Sequence, residues 1–243
     1  MTVESQFLSG KQVRTFVKSK AQKLVKRRKT RSLSQSGLHS AFIKRMFDVL
    51  FSLTVLTLFA PVYLILIVLI LISSPGPVFY IQKRVGKNFQ HFNCIKFRTM
   101  VKNADQVLDT MLDQHPAMRR EFEENFKLKH DPRITWIGKF LRLTSLDEFP
   151  QFWNVLLGDM SVVGPRPLVP DELPRYGDDI HEVLTIQPGI TGLWQVSGRN
   201  DIPYHQRIKI DVYYVKHRNL WLDLDIIIKT ISVVIFPKNN GAY

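Results

Sequence analysis

The sequence VLFSLTVLTLFAPVYLILIVLILI, residues 49–72, is almost entirely apolar. At about 1.5 Å per helical residue, a helix of these 24 residues is long enough to cross the hydrocarbon core of a bilayer. No charged residue stands between Asp48 and Lys83. Pro61 lies at the centre of the run, where it lacks an amide proton and its ring clashes with the carbonyl four residues back. The sequence therefore predicts a membrane segment whose helix breaks at Pro61.

The charges on either side of this run bear on how it enters the membrane. Lys44 and Arg45 precede it, and Lys83, Arg84 and Lys87 follow it. Basic residues close to a membrane segment favour the cytoplasmic side. Because both ends are basic, we expect a hairpin that enters and leaves through the same leaflet. A straight helix that spans the bilayer is the alternative from these residues alone.

The basic character of the chain is concentrated at its beginning. The formal net charge is +13, and residues 1–47 carry +11 of it, from twelve Lys and Arg residues against Glu4. Three interpretations of residues 1–40 fit this composition: a solvated flexible arm, attraction to anionic lipids, and binding to a nucleic-acid backbone. We expect a basic flexible tail that meets anionic lipids of the inner leaflet and no nucleic acid, because the hydrophobic segment beside it already faces an anionic surface.

Composition and absent motifs exclude several classes of protein. Cys94 is the single cysteine, so an internal disulfide and a cysteine-cluster zinc site are both excluded. The chain has no Walker-type glycine loop, no dinucleotide-binding GxGxxG and no nucleophile-elbow GxSxG.

After the membrane segment, residues 75–243 have the pattern of a folded domain. Val78–Gln82 and Phe92–Phe97 are apolar runs separated by a Gly-Lys-Asn turn, and they predict a short β-hairpin. Asn103–Lys127 predicts one or two helices, interrupted near Pro116. The fold class is therefore α/β, mainly helical with a small β-hairpin.

The run TSLDEFPQ, residues 144–151, is the first group of residues along the chain that is suited to catalysis. One interpretation is structural: a capping box with Ser145 at the N-cap and Glu148 three residues later. Pro150 weakens it, and a helix capped by Asp147 places Pro150 in the first turn, where proline is tolerated. Adjacent helical residues do not share a face. Asp147 and Glu148 are therefore free to take different roles, one as nucleophile and one as metal ligand.

Basic residues elsewhere in the chain are candidates for an anion site around this pair. Arginine suits phosphate because its planar fork donates several hydrogen bonds. Each candidate taken singly is also compatible with an ordinary surface charge. The candidates are Lys96, Arg98, Arg142 and Arg166. Asp159, just after Gly158, is a further candidate metal ligand.

The last apolar segment, residues 220–236, carries Asp223 and Asp225 among leucines and isoleucines. It predicts a core helix, or an amphipathic helix at a membrane interface with Trp221 near the headgroups. The two aspartates resemble an acid-x-acid metal motif. Two residues apart on an amphipathic helix, they are better explained as its polar face.

Six motifs in order resemble those of the bacterial sugar transferases, the monotopic phosphoglycosyl transferases that begin lipid-linked glycan assembly. The resemblance runs unbroken over residues 44–243. The motifs are Lys44–Asp48, Ser74–Phe79, Lys96–Met100, Thr144–Gln151, Gly158–Pro167 and Pro188–Asn200.

This resemblance implies a reaction. A sugar-1-phosphate passes from a UDP-sugar to undecaprenyl phosphate, and UMP is released. The family's acidic pair falls on Asp147 and Glu148. Asp147 would form the covalent phosphosugar intermediate, and Glu148 would help to hold Mg²⁺. The end of the chain is similar to members that transfer a hexose-1-phosphate, such as that of glucose or galactose.

The resemblance also implies an organisation. Residues 41–74 would form a re-entrant membrane hairpin, and residues 75–243 a cytoplasmic catalytic domain with interfacial amphipathic helices. The enzyme would lie on the bacterial inner (plasma) membrane, facing the cytoplasm where nucleotide sugars occur. A homodimer is compatible with the family. The sequence departs from the pattern at Ala60, where a serine commonly precedes the membrane proline, and it looks like a compact catalytic form.

Two other functions are compatible with these residues. A membrane-associated glycosyltransferase would move the sugar without its phosphate and release UDP instead of UMP. A membrane-anchored scaffold would use the basic tail to recruit partners and would not need Asp147.

Overall fold

The computed structural model describes residues 37–125, 128, 131–198 and 202–235. The chain divides into two units, Met1–Ala41 and Phe42–Tyr243. Residues 1–36 of the expected basic tail lie outside the described residues, so the nature of that tail stays a prediction. Of the first unit, the structure describes only the helical residues 37–41.

Helices dominate the described part of the chain, and the strands are few and short. The helices are α1 (Gly37–Leu58), α2 (Ala60–Ser73), α3 (Ala104–Gln114), α4 (Pro116–Asn125), α5 (Trp136–Thr144), α6 (Gln151–Leu157), α7 (Leu173–Tyr176), α8 (Asp179–Val183), α9 (Tyr204–His217) and α10 (Leu220–Ile235). The strands are β1 (Phe79–Val85), β2 (His91–Phe97), β3 (Ser161–Val163) and β4 (Gly189–Thr191). Short 3₁₀ turns occupy Lys87–Phe89, Leu146–Glu148 and Pro170–Glu172.

The apolar run breaks where the proline predicts. Phe59 separates α1 from α2, and Pro61 stands in the first turn of α2, where its missing amide proton costs no helical hydrogen bond. Within the described residues, no single helix has the length and apolar composition to cross a membrane. Ala41–Leu58 and Ala60–Ser73 meet that test together, bent by 62°. The helix break is thus confirmed, and it forms with Ala60 in place of serine.

The two helices pack on different parts of the core. Phe51 of α1 lies against Phe152 of α6, with ring centroids 6.1 Å apart. Ile70 of α2 is fully buried beside Phe97 of β2 and Leu141 of α5. One stripe of each helix is therefore held by the folded domain, while many of the remaining apolar side chains are exposed.

Lys44 and Asp48 fix the first helix to β3 and to α10. The Asp48 carboxylate accepts hydrogen bonds from the Val162 amide (3.1 Å) and the Ser161 hydroxyl (2.9 Å). Lys44 Nζ lies 2.8 Å from Asp48 and 3.1 Å from Asp223 of α10. Both carboxylates are almost fully buried, so Lys44 supplies the positive charge that makes their burial tolerable.

The predicted hairpin is confirmed. β1 and β2 pair antiparallel, from Phe79 opposite Phe97 to Val85 opposite His91. The turn between them places Asn88 in the left-handed region, at φ 54°. The predicted helical segment after the hairpin is also confirmed as α3 and α4, which meet at Pro116.

A second small sheet is a feature that sequence reasoning missed. β3 and β4 pair in parallel, with Ser161 opposite Gly189 and Val163 opposite Thr191. The two strands reach the same core because Gly189 approaches Gly164 very closely: a Cβ on Gly189 would stand 2.0 Å from the Gly164 amide nitrogen. This approach brings the loop after Gly164 beside the loop after β4.

Candidate active site

Asp147 and Glu148 lie on a single 3₁₀ turn between α5 and α6. The capping predictions for this segment are wrong. Ser145 terminates α5 in the left-handed conformation at φ 58°, and its amide donates to the carbonyls of Leu141 and Arg142. The next helix begins only at Gln151. Neither Ser145 nor Asp147 caps it, so the Asp147 carboxylate is not used to start a helix.

Glu148 lines a narrow pocket, and most of the other polar residues that line it come from distant parts of the chain. The cavity measures about 10 Å³, which is room for about one water molecule. Of the predicted anion-site residues, Lys96 and Arg166 meet Glu148 here. The polar lining consists of Arg84, Lys96, Glu148, Gln151, Arg166 and Gln195.

The Lys96 ammonium and the Glu148 carboxylate form an ion pair across the pocket. Lys96 Nζ lies 2.6 Å from Glu148 Oε1, with both side chains largely shielded from solvent. Burial acts to raise the pKa of Glu148, but Lys96 and Arg166 outweigh it, so the pKa of Glu148 lies below its ordinary value. Glu148 is therefore a stable carboxylate at neutral pH.

The pKa of Asp147 is shifted in the opposite direction. Burial, reinforced by the neighbouring Glu148 carboxylate, raises the pKa of Asp147 to about 6, against the lowering influence of Lys96 and Arg142. Two adjacent carboxylates with oppositely shifted pKa values are typical of a pair that divides chemical roles. At pH 7 most Asp147 is ionised, and its desolvated carboxylate is available as a nucleophile.

Arg142 lies near Asp147 but not in the lining of the pocket. Its Nε donates to Thr99 Oγ1 at 3.0 Å. Burial lowers the pKa of Arg142, and the charges of Asp147 and Asp131 oppose that shift. The structure therefore places a second cation beside the acidic pair, as the sequence predicts.

Arg98 has a different position from the one expected. Its guanidinium is buried and donates to the backbone carbonyls of Ser74 and Pro75, immediately after α2. It is absent from the pocket lining. These hydrogen bonds occupy the group that was expected to bind phosphate, so Arg98 fastens the end of α2 instead.

The structure does not bring Asp159 to Glu148. Asn154 Nδ2 donates to Asp159 Oδ2 at 3.2 Å, and Asp159 lines a separate cavity of about 120 Å³ with Lys87 and His91. Within the part of the chain that the structure describes, no group of three or more His, Cys, Asp or Glu residues could hold a metal ion. Any divalent ion at the pocket would depend on the acidic pair.

Asp223 and Asp225 are also not a metal pair. Asp223 is buried, accepts a hydrogen bond from the Tyr214 hydroxyl at 2.7 Å and pairs with Lys44. Asp225 pairs with Lys229 one turn along α10. The expectation of a polar helix face therefore holds for Asp225 and is wrong for Asp223.

Arg84 is the functional candidate that sequence reasoning missed. It is buried in the pocket wall, where it donates to the Pro167 carbonyl at 2.9 Å and lies 3.9 Å from Glu172. Arg84 stands opposite Phe92 in the hairpin. Because side chains alternate along a strand, residues 92, 94 and 96 share one face. That periodicity would have placed Arg84 on the same face of the hairpin as Lys96.

The arrangement suits chemistry on a phosphate. Three cationic side chains, Arg84, Lys96 and Arg166, surround one pocket that holds an ionised glutamate. Positive charges of this kind stabilise the charge that develops on a phosphoryl group under attack. The neighbouring Asp147 supplies a carboxylate that can attack such a group.

Several known proteins are similar to this chain in sequence. A protein of Erwinia amylovora named UDP-galactose-lipid carrier transferase is 50% identical over 204 residues, which are 84% of this chain and 42% of the relative. An undecaprenyl-phosphate galactose phosphotransferase of Salmonella typhimurium gives the same identity and coverage. The exopolysaccharide production protein ExoY of Rhizobium meliloti is 45% identical over 197 residues, 81% of this chain and 87% of ExoY.

The chain thus spans less than half the length of the first two relatives and most of the third. The family model described as bacterial sugar transferase matches residues 39–237. That range includes nearly all of α1, the hairpin, the acidic pair and all of α10. The chain belongs to the bacterial sugar transferase family.

Proposed function

We propose that this protein transfers a hexose-1-phosphate from a UDP-sugar to undecaprenyl phosphate and releases UMP, as the first step in building an exopolysaccharide or related glycan. Galactose is the first choice of sugar, because two relatives at 50% identity are named for galactose. Their names describe chains about twice as long, so the activity comes to this chain as a proposal.

The observation that carries the proposal is the opposed pair of carboxylates. Asp147 has a pKa raised to about 6 and Glu148 a lowered one, beside Lys96 and Arg166. A nucleophile that attacks an anionic diphosphate needs nearby positive charge to cancel repulsion. Lys96, Arg166 and Arg84 supply it from the protein.

The reaction would proceed in two displacements at one phosphorus atom. An Asp147 carboxylate oxygen bonds to the phosphorus that carries the sugar, and the bond to the bridging oxygen breaks, with its electron pair leaving on UMP. An oxygen of undecaprenyl phosphate then bonds to the same phosphorus and releases the Asp147 carboxylate. Two steps allow a cytosolic substrate and a membrane substrate to use one pocket in turn.

The acidic pair fits a magnesium ion that is shared with a substrate. Magnesium is commonly bound through one or two carboxylates together with substrate phosphates, and it keeps several waters. Glu148 and Asp147 match that donor set, whereas a closed protein cage is absent from the described residues. Glu148 would hold the ion, and Mg²⁺, when bound, neutralises charge on the diphosphate. Lys96 must share Glu148 with it or move to a phosphate oxygen.

The proposed location is the inner face of the bacterial plasma membrane. The 62° bend between α1 and α2 is compatible with a segment that enters and leaves one leaflet. Large apolar side chains are exposed on helices beyond that hairpin, which is unusual for a surface in water. Tryptophans among them suit the headgroup region. The exposed apolar residues are Trp136 and Phe140 on α5, Trp153 and Leu157 on α6, and Trp221, Ile228 and Ile231 on α10.

Identification of the released nucleotide tests the reaction. Purified protein in detergent, supplied with UDP-galactose, undecaprenyl phosphate and Mg²⁺, is expected to release UMP, and Asp147→Asn is expected to release none. UDP-glucose in a parallel assay tests the choice of sugar. Release of UDP would identify glycosyl transfer and overturn the proposal. UMP release that persists undiminished in Asp147→Asn would remove Asp147 from the reaction.

A further inference from the structure

In the part of the chain that the structure describes, one edge of the β1–β2 hairpin has no neighbouring strand, because its sheet consists of these two strands. Along β2, backbone groups that point away from β1 therefore need partners other than a strand. Lys96, whose ammonium pairs with Glu148, belongs to this strand. The groups that satisfy this edge also hold the strand from which Lys96 extends.

The side-chain amide of Asn154 occupies that edge. The Ile95 amide donates to Asn154 Oδ1 at 3.0 Å, and Asn154 Nδ2 donates to the Asn93 carbonyl at 2.8 Å. Asn154 belongs to α6 and is 1% exposed. One buried amide thereby takes the place of a neighbouring strand and joins α6 to β2.

Asp159 fixes the direction in which this amide points. Asn154 Nδ2 also lies 3.2 Å from Asp159 Oδ2. The amide nitrogen thus faces two acceptors and the amide oxygen faces a donor. A flipped amide would place its oxygen against the Asn93 carbonyl and the Asp159 carboxylate. Asp159, which the sequence suggested as a metal ligand, therefore has a role in orienting Asn154.

Packing in the core does not by itself call for an amide at position 154. Phe152 and Val155, its neighbours on α6, are apolar and buried in the largest hydrophobic cluster. A buried asparagine is costly unless its polar atoms are paired. The polar groups of β2 and Asp159 supply those pairs. The requirement for asparagine thus comes from the contact between α6 and β2.

This contact lies close along the chain to both members of the ion pair. Lys96 directly follows Ile95, and Glu148 precedes Asn154 by six residues. The Lys96 ammonium and the Glu148 carboxylate, 2.6 Å apart, therefore extend from two segments that Asn154 ties together. A displacement of about 1 Å at a reacting centre can lower a rate about 100-fold. A shift of β2 along α6 would cause such a displacement of Lys96.

We propose that Asn154 is a positioning residue for the transfer reaction: its amide holds β2 against α6 and thereby keeps the Lys96 ammonium in register with Glu148 and the bound diphosphate. The inference rests on the proposed function for the identity of the reaction. Asn154 is not among the residues that line the pocket, so it acts through Lys96 and not by contact with a substrate.

A double-mutant cycle on kcat/KM for UMP release tests this role. Asn154→Ser leaves room for water to satisfy the two backbone groups, but water does not fix the strand to the helix. We expect this variant to lower kcat/KM about tenfold, a part of the effect of a displaced reacting group. In the Lys96→Gln background, the same substitution is expected to change kcat/KM by less than about twofold, because the cation that it positions is already absent.

Tyr214→Phe is the matched control, because it also removes buried hydrogen bonds from the core. Tyr214 is 1% exposed, and its hydroxyl lies 3.0 Å from the Val163 carbonyl and 2.7 Å from Asp223 Oδ1. The melting temperature is expected to fall in both variants, and kcat/KM per folded protein only in Asn154→Ser. Equal losses of kcat/KM in the two variants would overturn the proposal. So would a loss in Asn154→Ser that multiplies in full with that of Lys96→Gln.

Hydrogen exchange in the parent chain tests the contact itself, without a variant and without turnover. The Ile95 amide is expected to exchange at least about 100-fold more slowly than in an unfolded peptide, because Asn154 accepts its hydrogen bond. Exchange at the rate of an unfolded peptide would overturn the proposal. An unchanged kcat/KM in Lys96→Gln would also overturn it, since Asn154 would have nothing to position. Failure of the parent chain to release UMP would instead contradict the proposed function.

Discussion

Lys96 Nζ lies 2.6 Å from Glu148 Oε1, across a cavity of about 10 Å³. The two residues are 52 positions apart in the sequence, one on a β-hairpin and the other on a 3₁₀ turn. The ion pair therefore fills the space that a diphosphate would need. Substrate binding must open this contact, and Lys96 can exchange Glu148 for a phosphate oxygen as it does so.

Neutralising Lys96 tests the role of that cation. Lys96→Gln is expected to lower kcat/KM for UMP release about 100-fold, the size of effect seen when one preorganised electrostatic group is removed from a reacting centre. Steady-state kinetics measure it. Lys83→Gln is the control, because Lys83 is exposed on β1 of the same hairpin. Equal activity in the two variants would show that Lys96 is only a structural partner of Glu148.

The pH dependence of the first step reports on Asp147. Only the carboxylate can attack, and burial and Glu148 raise the pKa of Asp147 to about 6. Activity is therefore expected to be near its plateau at pH 7.5 and to fall about tenfold per pH unit well below pH 6. Initial rates of UMP release between pH 5 and 8 measure the midpoint. A midpoint near the ordinary value for aspartate, about 4, would contradict the raised pKa.

Removal of Lys44 tests what holds α1 to the domain. Lys44→Met leaves the buried carboxylates of Asp48 and Asp223 without their shared cation. We expect the free energy of unfolding to fall by about 1.5–3 kcal/mol, the range for hydrogen bonds to charged groups. Thermal unfolding in detergent measures the loss.

Lys229→Met is the matched control for Lys44→Met. Lys229 also pairs with an aspartate, but both members of that pair are more than one-third exposed. Exposed pairs contribute about 0–1 kcal/mol. A similar fall in melting temperature for both variants would mean that the buried network around Lys44 adds no special stability.

Asp211 makes folding stability depend on pH. Its pKa is raised to about 8 in the folded protein by burial, from an ordinary value near 4. Between these values the folded state binds a proton that the unfolded state does not, so the contribution of Asp211 to stability falls as pH rises from 4 to 8.

Asp211→Asn is expected to remove that slope, because asparagine is neutral at every pH in the range. Melting temperatures of both proteins at pH 6 and pH 8.5 measure the difference. The parent chain should lose more stability at pH 8.5 than Asp211→Asn does. Parallel pH dependences would show that Asp211 does not titrate in this range.

Local sequence signals predicted the parts of the fold that depend on local chemistry. Pro61 predicts the break between α1 and α2, and Pro116 the boundary between α3 and α4. The β1–β2 hairpin follows from two apolar runs and a turn. β3 and β4 have three residues each, too few to show a periodicity, and their pairing depends on the close approach of Gly189 to Gly164.

The site was predicted less completely, because contacts between distant parts of the chain determine which side chains meet there. Lys96 and Arg166 lie beside Glu148 in the pocket, as expected. Arg98 instead donates hydrogen bonds to the backbone carbonyls that follow α2. Ser145 looked like a helix start and is a helix end, because a serine in the left-handed conformation closes α5. Nothing local in the sequence distinguishes these uses.

The central claim is that Asp147 carries the phosphosugar between the two substrates, and mass spectrometry tests it most directly. The protein is incubated with UDP-galactose and Mg²⁺ but without undecaprenyl phosphate, then digested and sequenced. We expect a hexose-1-phosphate adduct on Asp147, absent from Asp147→Asn and discharged when undecaprenyl phosphate is added. UMP formation only in the presence of the lipid, with no adduct on any residue, would contradict the claim and indicate direct transfer between the substrates.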